Sequence, residues 1–275
     1  MMTKMGVKIV FSDIDGTFLT NDHKVTHQTE EAVKTLLNKG IPFVLVSARM
    51  PEAIYPITDK IGIKIPIISY SGDLVLTEKE EVLYSKTIDA EQTETVLKAI
   101  DEGWSDVTVN YYAGRRWFVR DVTDKRVKYE MDITEATAEN ADFGKLLDSQ
   151  ILPNKILIMC EPPTCEEMER ELGKMFPALN VVRSSTFLLE IMDKNVSKAT
   201  GIDVMLKHYG LTAAEAIGFG DNYNDIDMFK LVGTAVVMGN APDPVKKYAD
   251  EVTASNEDSG IYQYLIKHVL KTYVE

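Results

Sequence analysis

Three short runs near the start of the chain, Val7–Ser12, Ile41–Val46 and Ile65–Tyr70, are apolar almost without a break, with amphipathic stretches between them. A strand that keeps one face in water alternates apolar and polar residues, so an unbroken apolar strand requires cover on both faces. Strands of this kind separated by helices predict a parallel sheet sandwiched between helical layers. The first connecting helix is expected from His27 to about Asn38. Thr26 supplies an N-cap, Glu30 and Glu31 sit early, Val33, Leu36 and Leu37 form an apolar stripe, and Gly40 stops it. Pro51 suits the first turn of a second helix over about residues 51–61. The same rhythm returns late in the chain. A helix from about Ser197 to Tyr209 ends at Gly210, and a strand at Ala216–Phe219 runs into Gly220-Asp221. A helix at Asp225–Leu231, a strand at Thr234–Met238 and a closing helix at Ile261–Tyr273 follow.

The middle, about residues 84–192, reads differently. Val107–Tyr112 and Arg116–Arg120, joined by Ala113-Gly114-Arg115, predict an antiparallel hairpin. Helical patterns at 91–102 and 164–175 and strands at 155–160 and 187–192 fill the rest. The simplest organisation is an α/β core built from residues 1–83 and 193–275, with an α+β domain, 84–192, inserted into it. A chain of 275 residues is long enough for both.

Charge narrows the partners. The formal net charge is −13, which disfavours nucleic acid and anionic lipid, since both are bound by Lys and Arg neutralising phosphates. A site for a small phosphorylated molecule would then need its own local positive charge, from a lysine or a metal. No apolar run reaches the roughly 18 residues that span a bilayer. Met1–Gly6 lead directly into the first strand and lack the features of a signal peptide. Cys160 and Cys165, the two cysteines, match neither a disulfide framework nor a zinc or thioredoxin spacing. A reducing, cytoplasmic location is the expectation. Trp104, Tyr111, Tyr112, Arg115, Arg116 and Trp117 cluster around the hairpin. In so acidic a chain they read as hairpin core with surface arginines rather than as a nucleic-acid platform.

The residues able to do chemistry sit at strand ends. Asp13-Ile14-Asp15-Gly16-Thr17 follows the first strand directly. In extended backbone, side chains two apart point the same way, so Asp13 and Asp15 can face one small volume. Open parallel sheets bind ligands just beyond the carboxyl ends of their strands. A plain Asp-Gly turn is the bland alternative. Asp221 holds the equivalent place after the strand Ala216–Phe219, with Asp225 one helical turn on. Carboxylates converging on one point repel unless a hard cation joins them, and Mg²⁺, with oxygen ligands and positions left for water and phosphate, suits such a set. Asp225 could equally serve only as the negative start of a helix; that would not account for Asp221. Ser47, ending the second strand in Val46-Ser47-Ala48-Arg49, offers a hydroxyl and backbone N–H groups to a phosphate, or simply a cap. Lys198, in the first turn of a helix, opposes the macrodipole unless an anion binds beside it.

Taken in order, Asp13-x-Asp15-Gly16-Thr17, Ser47, Lys198 and Gly220-Asp221-x-x-Asn224-Asp225 resemble the four motifs of the haloacid dehalogenase superfamily. The long insertion resembles the α/β cap of its Cof-like branch. The resemblance spans essentially the whole chain and implies a Rossmann-like core with an inserted cap. Two segments depart from the usual pattern. Ser47-Ala48-Arg49 stands where Ser/Thr-Gly-Arg is common, and Ser71-Gly72-Asp73 where Asn-Gly-Ala is common.

What the resemblance implies is a Mg²⁺-dependent phosphatase acting on small-molecule phosphate esters. Asp13 would be the nucleophile, already ionised at neutral pH because a carboxyl ordinarily titrates near about 4. Asp15 would be the general acid and base, protonated at the first step and binding the metal through its backbone carbonyl. Asp13 and Asp221 would ligate directly, and Asp225 directly or through water. Thr17, Ser47, Ala48, Lys198 and Asn224 would hold the phosphate. A phosphotransferase or mutase of the same superfamily is the nearest alternative. A phospho-accepting regulatory domain is remoter, because such a chain would be about half as long, and a decayed binding module is opposed by every motif position being filled.

Overall fold

The first strand, β1 (Ile9–Asp13), is buried along its whole length, as its unbroken apolar sequence requires. This is a computed structural model, and it describes residues 6–273; the reading of Met1–Met5 lies outside them. The helix α1 (His27–Asn38) begins where the sequence places it, with the Thr26 side chain accepting from the Thr29 backbone N–H, and it buries Thr29, Ala32, Val33 and Leu36. Next comes β2 (Phe43–Val46), also fully buried. The single helix expected over 51–61 is instead a 3₁₀ turn at Pro51–Ala53 followed by α2 (Tyr55–Lys60). Pro56 is the reason: it has no N–H to continue the ladder from the preceding turn, so the helix starts afresh. After β3 (Ile67–Ser69), Tyr70 and Ser71 take φ of 49° and 55°. The chain doubles back there into β4 (Leu74–Leu76), followed by β5 (Val82–Ser85).

The middle of the chain supplies α3 (Ala90–Gly103), β6 (Thr108–Ala113), β7 (Arg116–Val119), α4 (Lys125–Thr134), β8 (Ala138–Asn140) and α5 (Phe143–Asp148). It continues with β9 (Lys155–Met159), α6 (Pro162–Met175), β10 (Leu179–Arg183) and β11 (Leu188–Asp193). The last stretch adds α7 (Lys198–Tyr209), β12 (Ala216–Gly220), α8 (Ile226–Leu231), β13 (Thr234–Val237), α9 (Asp243–Lys246), β14 (Glu251–Val252) and α10 (Gly260–His268).

These elements divide into two compact units. One takes in the chain through Arg49, Ile54–Tyr84 and Ser197 onward; the other takes in Met50–Ala53 and Ser85–Val196. In the first, eight strands lie in the order β14-β13-β12-β1-β2-β3-β4-β5. The pairs from β14 across to β3 are parallel, and β4 joins β3 antiparallel. The sheet is therefore mixed at one edge rather than wholly parallel, because the tight turn at Tyr70–Gly72 leaves no room for a crossover helix. On one face, Ile202, Met205 and Leu206 of α7 and Met228 and Phe229 of α8 pack over Phe11, Val44, Val46 and Ile68. On the other, Phe219 meets Tyr264 of α10 edge-on at 5.5 Å, and α10 packs against α1.

In the second unit, the sheet order is β10-β11-β9-β6-β7-β8. Helices α3, α5 and α6 share a core with Tyr111, Phe118, Ile156, Ile158, Leu189 and Ile191. Cys160 and Cys165 are free and buried in that core, and burial pushes the Cys160 thiol up to about 12. The hairpin aromatics are structural: Trp117 is buried and donates its indole N–H to Asn110 Oδ1 at 3.0 Å. Arg116 pairs with Glu139 on the surface.

Candidate active site

Strand β1 lies between β12 and β2, with Ser12 in register beside Phe219 and Asp13 beside Val46. From β1 the strand order runs outward in opposite directions, so the loops leaving the carboxyl ends of β1, β2 and β12 open a crevice there. Three of the acids singled out in the sequence meet at this point. Asp13, Asp221 and Asp225 each place a carboxylate oxygen within 4.8 Å of the other two. Lys198, the first residue of α7, donates to Asp13 Oδ1 and, at 2.7 Å, to Asp225 Oδ1. Its side chain is 1% exposed.

Crowding sets the electrostatics. Burial favours the neutral amine of Lys198, but the carboxylates of Asp13 and Asp225 outweigh it and hold the group above the ordinary lysine value. It is an ammonium at any physiological pH. Burial lifts the Asp13 carboxyl well above the usual range; Lys198 opposes this, while Asp225 and Asp221 reinforce it. Asp221 is pushed up to about 6, first by burial and then by Asp225, against a hydrogen bond from Thr17. The freely ionised Asp13 expected from an isolated carboxyl is thus not what this cluster favours by itself. Three acids share one ammonium, and a hard divalent cation with oxygen ligands is the species that would relieve the imbalance.

Each acid is fixed by its loop. Asp225 is fully buried; its Oδ2 accepts from the backbone N–H groups of Asp221 at 2.9 Å and Asn222 at 3.0 Å, and its Oδ1 takes Lys198. Both of its oxygens accept from protein donors, so it anchors the ammonium and the turn that carries Asp221, and one acceptor direction on Oδ1 is left over. Thr17 Oγ1 donates to Asp221 Oδ1 at 2.8 Å. Gly16 has φ of +80°, and a Cβ there would lie 2.4 Å from Asp221 Oδ2. Both the backbone angle and the close approach require glycine.

The remaining candidates are placed less centrally. Strand β1 ends at Asp13, and the N–H groups of Thr17, Phe18 and Leu19 all turn back to the Ile14 carbonyl. The two-residue alternation expected to aim Asp15 beside Asp13 stops there. Asp15 instead accepts two bonds from Arg49, Nε to Oδ2 at 2.9 Å and Nη2 to Oδ1 at 2.6 Å, and is about half exposed. Ser47 is buried, and its Oγ accepts from the Arg49 backbone N–H at 3.2 Å. Ala48 lies between them, partly exposed, and Asn224 is exposed in the turn before α8.

The sequence profile of the haloacid dehalogenase-like hydrolases matches residues 10–265. The chain belongs to that family. A Haemophilus influenzae member that carries a provisional phosphatase name is 36% identical over 257 residues, covering 94% of this chain and 96% of its own. The crystal structure of a haloacid dehalogenase-like hydrolase from Bacteroides thetaiotaomicron superposes with a TM-score of 0.86 at 27% identity, covering 95% of this chain and 99% of that one. A sugar phosphatase of haloacid dehalogenase subclass IIB shares the fold, with a TM-score of 0.79 at 24% identity and coverage of 95% and 98%. The Cof-like resemblance read from the motifs agrees with this membership.

Two polar residues of this hydrolase site carried no assignment in the sequence reading. Arg49, in the motif that departs from the family pattern, grips Asp15 through both oxygens. Asn240, in the loop after β13, donates to the Gly16 carbonyl at 2.8 Å and approaches Asp221 Oδ2 at 3.5 Å. Its signal was available: it follows the carboxyl end of a parallel strand, as Asp13, Ser47 and Asp221 do.

Proposed function

We propose that the chain is a Mg²⁺-dependent phosphatase that hydrolyses small phosphate monoesters through an aspartyl phosphate on Asp13. The observation that carries this reading is the contact of Asp13 with a buried ammonium inside a group of three acids at the switch point of the sheet. A nucleophilic carboxylate and an anionic phosphate repel each other, so positive charge beside the nucleophile is the first requirement of the reaction. Lys198 meets it, and Asp225 keeps the ammonium aimed.

Asp13 and Asp221, with the backbone carbonyl of Asp15, would hold Mg²⁺, which would lower the acid of Asp13 and neutralise phosphate charge. Asp13 Oδ attacks phosphorus as the bond to the leaving alkoxide breaks. The Asp15 carboxyl gives that alkoxide a proton, then takes one from the water that cleaves the aspartyl phosphate. To do so Asp15 must turn from Arg49, which occupies both its oxygens. Ser47, buried beside the β1 end, is positioned to donate to a phosphate oxygen, with the Ala48 backbone following it. Asn224 is assigned the outer edge of the phosphate. Thr17, whose hydroxyl is given to Asp221, acts on the phosphate side through that carboxylate.

Substrate selection is assigned to the inserted region, residues 84–192, read as the cap domain. The net charge of −13 favours a small ester over nucleic acid, and the subclass IIB neighbour that is a sugar phosphatase supports including sugar phosphates among the substrates. We assign the enzyme to the cytoplasm, in keeping with two cysteines that are buried and free.

The test is phosphate release from p-nitrophenyl phosphate, sugar phosphates, nucleotides, flavin mononucleotide and pyridoxal phosphate, with Mg²⁺ and with EDTA. Mg²⁺-dependent release of one free phosphate per turnover is expected, lowered at least about a thousandfold in Asp13→Asn. Undiminished turnover in that variant refutes the nucleophile, and transfer to an acceptor hydroxyl without free phosphate replaces hydrolysis with phosphotransfer.

A further inference from the structure

Asn240 sits on an exposed loop, where packing imposes no orientation on its amide, yet three polar contacts fix it. Nδ2 donates to the Gly16 carbonyl at 2.8 Å and faces Asp221 Oδ2 at 3.5 Å, while Oδ1 accepts from the Asn256 backbone N–H at 3.1 Å. Flipping the amide would set acceptor against acceptor on one side and donor against donor on the other, so the assignment is determined by its surroundings. The loop that carries it is itself pressed into place. The Gly239 N–H donates to the Ala254 carbonyl at 3.0 Å, and a Cβ on Gly239 would lie 3.0 Å from the backbone of Ala254 and Ser255. Asn256, 5% exposed, extends the tie by donating from Nδ2 to the Leu19 carbonyl at 2.9 Å. The turn after β1, the turn after β12 and the loop after β13 are thereby joined through one side chain.

The carboxylate of Asp221 shows what the tie achieves. A carboxylate offers about four acceptor directions, two on each oxygen. Thr17 takes one on Oδ1, and Asn240 stands against one on Oδ2. One direction on each oxygen is left for the side where Asp13 and Asp225 converge. Gly16, lying against Oδ2, closes the third side. Partners of this kind around a ligating carboxylate hold its rotamer before the ion arrives.

We propose that Asn240 is a positioning residue for Asp221, setting the carboxylate for a divalent cation from the loop after β13. The proposal rests on Asp221 being a ligand, and it makes the loop after β13 a further sequence-distant contributor to the site.

Metal binding itself supplies the test, independent of turnover. Full-length wild type, Asn240→Ala and Asn240→Asp would be titrated with Mn²⁺ by electron paramagnetic resonance and with Mg²⁺ by calorimetry. Thermal midpoints in EDTA would be read alongside. Loss of an outer partner weakens metal binding about 10–100-fold, and the 3.5 Å contact places Asn240→Ala near the lower end, a rise in Kd of about tenfold. Asn240→Asp replaces the donor with a carboxylate facing Asp221 and the Gly16 carbonyl, so its Kd rises further if Asp221 alone governs affinity. The EDTA midpoints stay close to wild type, and raising Mg²⁺ restores kcat in Asn240→Ala.

A Kd within twofold of wild type in both variants overturns the proposal, as does a fall in the EDTA midpoint with unchanged Kd, which marks a purely structural role. A wild type that binds Mn²⁺, with the expected loss in the variants, but releases no phosphate from any ester supports Asn240 while refuting the phosphatase reading.

Discussion

Replacing Lys198 with Met keeps the aliphatic stem and removes the one ammonium that Asp13 and Asp225 share. The Lys198 side chain is 1% exposed, that of Asp225 0% and that of Asp13 9%, so water cannot take over its role. Breaking a buried pair by deleting one partner costs about 3–5 kcal/mol. The geometry gives a similar figure: carboxylates whose oxygens lie within 4.8 Å of one another repel by at least about 3.5 kcal/mol at an effective dielectric of about 20. At about 2–4 °C per kcal/mol, the midpoint in EDTA at pH 7.5 should fall by about 6–20 °C. Acid should narrow the gap. The folded-state acid of Asp13 lies above its unfolded value, so its contribution is fully present below the unfolded value and is lost as pH rises through the folded one. Lys198 opposes that rise, and without it Asp13 moves higher still and takes up a proton sooner on acidification. Lys198 itself stays charged throughout. Melts followed by circular dichroism at pH 7.5 and pH 5, in EDTA and in Mg²⁺, would show the loss shrinking at pH 5 and partly restored by the divalent cation. A variant that melts within about 2 °C of wild type in EDTA at pH 7.5 refutes the reasoning, and so does a gap that widens with acid.

Asp221, raised to about 6, should destabilise the metal-free protein at neutral pH. Its contribution is present below about 3.9 and lost as pH rises through about 6, so Asp221→Asn should be more stable than wild type in EDTA at pH 7.5 by about 1–3 kcal/mol, with the advantage shrinking on acidification and gone near about pH 3.5. Urea titrations at the two pH values check the sign. Gly16→Ala forces a Cβ to within 2.4 Å of Asp221 Oδ2 at a backbone φ of +80°, so calorimetry should find Mg²⁺ binding weakened by at least about tenfold. Arg49→Ala frees a half-exposed carboxylate that must leave Arg49 to act, so stability should change by no more than about 1 kcal/mol and steady-state kcat should not fall.

Most of the core sheet was legible because the strands that build it are buried on both faces and say so in unbroken apolar runs. β2, β3 and β13 lie within the expected runs, β1 and β12 each extend one residue past theirs, and α1 begins at the residue its cap dictates. The elements that escaped are those whose sequences carry mixed instructions. β4, Leu-Val-Leu, is apolar and buried but only three residues long, and β5 at the edge is partly exposed, so neither gives an apolar run as long as those of the central strands. In the middle of the chain, β8 is three residues long, with two of them exposed, and the low amphipathicity of α4, which buries Val127 alone, hides it. The broken helix at 51–60 shows a local rule, the missing N–H of Pro56, overriding a pattern read from its neighbours.

The site divides along similar lines. Asp13 and Asp221 were legible because parallel-strand ends converge whatever the side chains do afterwards, so position in the sheet predicts proximity; Asp225, one helical turn past Asp221, and Lys198, in the first turn of its helix, were legible from their helix positions. Asp15 and Arg49 lie one step beyond that rule. Once β1 ends, three N–H groups fold back on the Ile14 carbonyl, and side-chain direction is set by a turn whose geometry the two-residue period cannot describe. The same convergence rule that found Asp221 also reaches Asn240, which follows β13 as Asp221 follows β12. An amide carries no charge to balance, so nothing in the sequence around Asn240 marks it as the charge imbalance marks Asp221. Charge imbalance identifies the ligands of such a site. The neutral donors that hold those ligands still have to be sought among the remaining strand ends of the same sheet.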